Sequence, residues 1–269
     1  MLGISAAAAA LAAAGSARWC WWKERRGGLP VLAFRKIGEP PAGSRLKDSW
    51  LPPEKFRARL SGLLAGGYAP LFFSDLLAPG GGKKLPGRPV LLTFEGAYET
   101  TYLRAFPILR DLGVKANMLV TVDGIGKADL WKDPSEEPWI NMADLEALRE
   151  MRDSGLVEFG SLGMTHADLE KLPPGDAFWE MAESRRRLEK TLDREIRAFA
   201  YPGGAGAYSP EIRTLAVRAG YELDFSSRQG KAAWPRDGEP GPLDRIMVRR
   251  SDTALDLRLQ LSRGVSRLF

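Results

Sequence analysis

The stretch Val90-Leu91-Leu92-Thr93-Phe94-Glu95-Gly96-Ala97-Tyr98 begins as a continuous apolar run and stops at an acidic turn of small residues. Such a run, rich in β-prone residues and bounded by a turn, is typical of a buried strand in a parallel sheet. Ligands of α/β proteins bind at the carboxyl ends of these strands. The stretch therefore predicts an α/β fold with the Glu95 carboxylate at a strand end that faces a ligand.

Strand-like and helical patterns alternate along the rest of the chain. Pro53 opens one amphipathic helix, Asn141 is predicted to cap a second, and Ser209 precedes a third. About seven β/α alternations favour a (β/α) barrel over an antiparallel fold. Parallel strands are predicted around Val31, Leu91, Met118, Val157, Phe199 and Leu223.

Length and charge narrow the class of protein. A chain of 269 residues with 44% hydrophobic content is long enough for one large α/β domain, predicted over residues 28–269. The net charge is +5, but Lys and Arg are interspersed with 34 acidic residues along the sequence. We therefore expect no nucleic-acid partner. The single cysteine, Cys20, excludes an internal disulfide.

Residues 1–27 form a separate leader. The segment 1–22 is Ala-rich and apolar apart from Arg18, and it ends in Trp19, Trp21 and Trp22 before the charged run 23–26. This composition indicates a signal peptide or a membrane anchor, with a disordered leader as the alternative. The first two predict a cell-envelope or extracytoplasmic location, with membrane attachment through the N-terminus.

Residues 93–98 resemble the first signature of the polysaccharide deacetylases (NodB-homology domain, carbohydrate esterase family 4), which usually reads Thr-Phe-Asp-Asp-Gly-Tyr. The resemblance implies the family's distorted, incomplete (β/α) barrel. It places Glu95 at the position of the catalytic base and Gly96 at that of the first metal ligand. Because glycine has no ligand atom, the chemistry at this position departs from the family.

Two further segments resemble later signatures of the same family. Gly160-Ser161-Leu162-Gly163-Met164-Thr165-His166 is similar to the segment whose two histidines, four residues apart, bind the metal. The resemblance places Leu162 at the first of these positions and His166 at the second, so His166 is the one metal ligand that remains. As the sole histidine of the chain, it also leaves the family's general acid without a counterpart.

The third signature is similar to Tyr201-Pro202-Gly203, which in the family lines one wall of the substrate groove. With Tyr98, these three residues are the predicted substrate-binding positions. The ligand implied is a polysaccharide or oligosaccharide that contains N-acetyl or O-acetyl sugars. Because signatures that end separate parallel strands meet at one face, we expect Glu95, Gly96, Leu162, His166 and Tyr201 to cluster at the mouth of the barrel.

Three functions are compatible with these residues. The leading hypothesis is a non-catalytic member that binds a cell-envelope polysaccharide and needs no cofactor. The alternative is an active carbohydrate deacetylase, hydrolysing C–N or ester bonds through Glu95 and His166, with Glu99 or Asp168 completing a site for Zn or another divalent metal. The third is a pseudoenzyme that binds a protein partner.

Overall fold

The computed structural model describes Ala8, residues 12–16, Arg18, Trp19 and residues 22–78, 85–235 and 241–267. Thirteen of the 27 residues of the predicted leader therefore lie outside the described residues. No helix within the described ranges is long and apolar enough to cross a membrane.

Parallel strands close into a ring. Strand β1 (Val31–Phe34) pairs with β5 (Pro89–Gly96) on one side and with β10 (Leu243–Met247) on the other. The circle is completed by β9 (Leu223–Gln229), β8 (Ala198–Ala200), β7 (Val157–Ser161) and β6 (Ala116–Val120). A short strand, β4 (Ala69–Leu71), adds to the outer edge through β5, and β2 (Lys36–Ile37) pairs with β3 (Trp50–Leu51) outside the ring.

Helices cover the outside of this ring. Seven strands rather than eight form the closed circle, so the predicted (β/α) barrel, incomplete in strand number, is confirmed. The helices are α1 (Pro53–Ala65), α2 (Phe73–Leu77), α3 (Phe106–Leu112), α4 (Leu145–Asp153), α5 (Pro174–Leu192), α6 (Pro210–Arg218) and α7 (Ala254–Arg263).

The apolar runs of the sequence become strands because both of their faces are buried. On β5, residues 90–94 are all buried, with one set of side chains inside the barrel and the other beneath the helices. Phe34, Phe56 and Phe94 pack as an aromatic trio between β1, α1 and β5, with ring centroids 5.2–5.7 Å apart. This packing fixes the carboxyl ends of β1 and β5 beside each other.

The cap of α4 differs from the prediction. The Asp144 side chain accepts a hydrogen bond from the Ala147 backbone N–H and so forms the N-cap. Asn141, predicted at this position, lies in an isolated antiparallel bridge with Ala128. The intervening residues continue the loop, because the backbone N–H of Ala143 bonds to the carbonyl of Ala97 before the helix begins.

Candidate functional site

A small pocket of about 120 Å³ opens at the carboxyl ends of the barrel strands. Glu95 and Gly96 reach it from the end of β5, and Leu162 and His166 from the segment after β7. Gly203 lines it from the turn after β8. Three separate sequence signatures thus meet at one mouth.

Two arginines hold the Glu95 carboxylate in place. Arg245, fully buried on β10, donates from Nη2 to Glu95 Oε1 at 2.5 Å, and Arg35, just after β1, donates from Nε to Oε2 at 3.1 Å. Burial alone would raise the pKa of Glu95, but the two guanidinium groups outweigh it and lower the pKa to about 2. Glu95 is therefore a fixed anion at neutral pH.

His166 faces the same pocket with its ring stacked on Trp131. The two ring centroids lie 5.0 Å apart and the planes differ by 11°. The backbone of His166 is left-handed, with φ of 67°. Burial lowers the pKa of His166 despite the nearby Glu95 carboxylate, so its imidazole is neutral at pH 7.

Two lysines that sequence reasoning missed also line the pocket. The Lys36 ammonium group is buried and donates to Glu137 Oε1 at 2.5 Å. Lys132 donates to Asp129 Oδ2 and to the Tyr98 hydroxyl, both at 2.5 Å. Both ammonium groups also lie over the Tyr98 ring, at 5.5 Å and 4.7 Å from its centroid.

Partners behind the lysines hold them at the mouth. Besides Lys36, the Glu137 carboxylate accepts hydrogen bonds from Ser44 Oγ at 2.6 Å and Trp50 Nε1 at 2.8 Å. Burial and the neighbouring Lys132 lower the pKa of Lys36 to about 8, although Glu137 opposes the shift. Lys36 is the second residue after β1, and this position near a strand end could have indicated it in the sequence.

Two of the predicted substrate-binding residues do not reach the pocket. Tyr201 is fully buried, and its hydroxyl donates to Asp224 Oδ2 at 3.1 Å beneath the mouth. Pro202 is also buried. Both side chains face the packed interior, because the chain turns outward only at Gly203, which is exposed. Tyr98 and Gly203 do line the pocket.

The acidic residues that were expected to assist His166 also lie outside the pocket lining. Asp168 accepts a hydrogen bond from the backbone N–H of Glu170 and caps a short turn, and it pairs with Lys171 at 2.9 Å. Glu99 accepts a long hydrogen bond from Asn141 at 3.4 Å.

The closed parallel barrel, with three signatures at its mouth, defines a carbohydrate-deacetylase type of α/β protein. The sequence profile of the family described as Polysaccharide deacetylase matches residues 82–223, and the chain belongs to this family.

Relatives of known name share most of the chain. It is 28% identical to YxkH, a polysaccharide deacetylase homologue of Bacillus subtilis, over 85% of this chain and 74% of that protein. It is 26% identical to the poly-β-1,6-N-acetyl-D-glucosamine N-deacetylase of Staphylococcus epidermidis, over 77% of this chain and 71% of the relative.

Solved structures agree on the fold. The Streptococcus pyogenes deacetylase PplD, solved in complex with acetate, superposes with a TM-score of 0.72 at 24% identity, over 88% of this chain and 98% of that one. IcaB from Ammonifex degensii superposes with a TM-score of 0.69 at 24% identity, over 89% of this chain and 98% of that one. A polysaccharide deacetylase family member of Bacillus anthracis superposes with a TM-score of 0.70 at 23% identity, and this chain spans 66% of its length.

The residues at the mouth do not fit the divalent metal that the family implies. A catalytic zinc site needs three protein ligands, whereas Gly96 has no side chain and Leu162 packs in an apolar cluster with Leu119. A Cβ atom on Gly96 would lie 2.8 Å from Cε2 of Tyr98. Within the described residues, no three His, Cys, Asp or Glu side chains are grouped so that they could hold a metal ion.

Proposed function

We propose that this protein is a non-catalytic polysaccharide deacetylase homologue whose domain, residues 28–269, binds a cell-envelope polysaccharide at the barrel mouth. The observation that carries the proposal is the ion-paired state of Glu95 between Arg245 and Arg35. A general base works best when its pKa is near the pH at which it acts. A carboxylate with a pKa of about 2 has little tendency to take a proton from water at neutral pH.

The ion pairs also restrict where the Glu95 oxygens can point. One oxygen accepts from Arg245 and the other from Arg35, so each is already engaged by a charged donor. Gly96 and Leu162 supply no ligand for a metal ion that would lower the pKa of a bound water, which argues against a metal-dependent hydrolysis at this mouth. Loss of both effects supports binding without turnover.

The remaining surface of the pocket suits a sugar. Trp131 supplies an aromatic ring, on which the apolar face of a sugar ring can pack, and Lys132 supplies a donor for carbonyl and hydroxyl oxygens. The N-acetylglucosamine polymer named for the Staphylococcus epidermidis relative supports an N-acetylated or O-acetylated glycan as the ligand.

An acetate-release assay tests the absence of catalysis. Purified protein is incubated with chitooligosaccharides and with acetylated xylan, in the presence of chelator and in the presence of added Zn²⁺. We expect no release above that of the buffer under either condition. Release that requires Zn²⁺ would contradict the proposal, because it would show a functional metal site at the mouth.

A second candidate is a deacetylase that works without a metal. The observation in its favour is that neutral His166 and the Glu95 carboxylate line the same pocket. This candidate predicts acetate release that persists in chelator and is lost in His166→Gln. The same assay therefore separates the two functions.

A further inference from the structure

A large cavity lies at the opposite end of the barrel from the mouth. It is an open groove of about 1120 Å³ that runs between α1 and α7. Pro30 and Pro89, at the beginnings of β1 and β5, line its inner end. The groove is thus on the face of the barrel at which strands begin, away from the family's ligand site.

Positive charge is concentrated in this groove. Eight of its lining residues are Lys or Arg, including Lys55, Arg88 and Arg258, and one, Asp252, is acidic. Asp252 is already paired with Arg267 at 2.5 Å. Within residues 22–78, 85–235 and 241–267, none of the eight forms a salt bridge with a carboxylate. The fold gathers into one groove cations that are dispersed along the sequence.

Two of these arginines have buried N–H groups without a hydrogen-bond partner in the part of the chain that the structure describes. Arg59 is 8% exposed, and its Nη2 donates to the carbonyls of Arg249 and Asp252, but Nη1 has no partner among the described atoms. Arg263 has the same deficit at Nε and Nη1. Buried donors to which no acceptor is bound are costly, and both of these arginines line the groove.

Apolar side chains lie next to the charges. Leu63, Leu257 and Leu261 contribute to the lining, and Leu255 at the rim is 45% exposed. Trp22, 55% exposed, is three residues before Arg25, which also lines the groove. A basic surface with apolar and aromatic groups at its edge is typical of proteins that lie on the headgroups of a membrane.

We propose that this groove docks the domain on an anionic membrane by accepting the phosphate groups of acidic phospholipids, which leaves the mouth turned away from the bilayer. A soluble acidic polymer would match the charge but would gain nothing from Leu255 at the rim. The membrane therefore accounts for both the charged and the apolar parts of the surface.

Vesicle sedimentation of the full chain tests the proposal. Vesicles of phosphatidylcholine alone are compared with vesicles of equal parts phosphatidylcholine and phosphatidylglycerol. We expect at least tenfold stronger partitioning to the anionic vesicles. In the variant Lys55→Glu with Arg258→Glu this advantage should fall at least tenfold, because each cation near an acidic surface contributes roughly a fivefold factor. Both side chains are exposed, so the fold should survive.

The control variant carries the same change of charge outside the groove, as Arg104→Glu with Lys127→Glu, at exposed positions that do not line it. It should keep its preference for anionic vesicles within about twofold, and both variants share the N-terminal leader with the wild type. Equal binding to the two vesicle types, or equal losses in the two variants, would overturn the proposal. So would sedimentation with poly-L-glutamate but not with anionic vesicles.

Discussion

Glu95 occupies the position of the family's catalytic base, but its surroundings differ from those that a base requires. A carboxylate stands where the family places its base, yet Arg245 and Arg35 make it part of a three-residue ion network across β1, β5 and β10. Because Arg245 is fully buried, its charge requires a compensating anion. Glu95 supplies this anion and thereby has a structural role.

The acid stability of the protein should report this network. The pKa of Glu95 is about 2 in the folded protein and about 4.5 in the unfolded chain. The ion network therefore stabilises the fold fully above pH 4.5, and this stabilisation is lost as the pH falls towards 2. The loss should be on the order of 3 kcal/mol. In Glu95→Gln the free energy of unfolding should be lower at neutral pH and should fall less steeply below pH 4.5.

Chemical denaturation at a series of pH values measures this effect. Glu136→Gln is the matched control, since Glu136 is an exposed carboxylate on the loop beside Glu137. The control should keep the slope of the wild type. If Glu95→Gln and Glu136→Gln had the same acid profile, the network would not contribute to stability.

The backbone conformation of Gly96 predicts that a side chain at this position would destabilise the fold. Its φ of 95° is unfavourable for any residue with a Cβ, and that atom would also be 2.8 Å from the Tyr98 ring. We expect Gly96→Ala to lower the free energy of unfolding by about 2 kcal/mol. Gly203→Ala should cost less than about 1 kcal/mol, since its φ of 62° lies in the left-handed region and nothing is within 4 Å of the added atom.

Urea unfolding of the two variants gives the comparison. Equal losses in the free energy of unfolding would show that the contact between position 96 and Tyr98 has no effect on stability. The same contact bears on any attempt to rebuild the metal site, because Gly96→Asp must displace Tyr98 before an aspartate could bind a metal.

At the scale of elements, the cap of α4 provides a clean test. Asp144→Ala removes the side chain that accepts from the Ala147 N–H and should lower the free energy of unfolding by about 1 kcal/mol. Asn141→Ala, three residues earlier, should change it by less than about half of that. A larger effect at Asn141 would show that the helix begins earlier than Leu145.

Helix α4 also shows which features of the fold could be predicted from the sequence and which could not. Strands such as β5 were predictable because a long apolar run buried on both faces has few other solutions. The start of α4 was not, because Asn141 and Asp144 are both good caps and the choice depends on a backbone hydrogen bond from Ala143 to distant Ala97. Tertiary contacts of this kind leave no local pattern.

The loop before α4 carries the part of the site that sequence missed. Trp131, Lys132 and Glu137 lie in a polar segment without periodicity, and each is defined by a partner elsewhere in the chain. By contrast, Glu95, Gly96, Leu162 and His166 could be brought together in advance, since they end parallel strands or follow them closely. Tyr201 also follows a strand closely, but its side chain points into the core.

On the scale of the whole molecule, the barrel has two chemically distinct ends. The mouth combines aromatic rings with cations that are mostly ion-paired, whereas the opposite groove gathers cations that have no carboxylate partner in the described part of the chain. The sequence predicted no cluster of charge, because Lys55, Arg88 and Arg258 are far apart along the chain and meet only in the folded barrel. Net charge alone therefore understates the local field.

Titration calorimetry with an N-acetylglucosamine oligosaccharide tests the central claim, glycan binding at a metal-free mouth, most directly. We expect wild-type protein to bind with the same affinity with and without chelator, and Trp131→Ala to bind at least tenfold more weakly, a loss of about 1.4 kcal/mol. Trp179→Ala, which removes an exposed tryptophan of α5, should bind like wild type. Affinity that disappears with chelator, or that is unchanged in Trp131→Ala, would contradict the account.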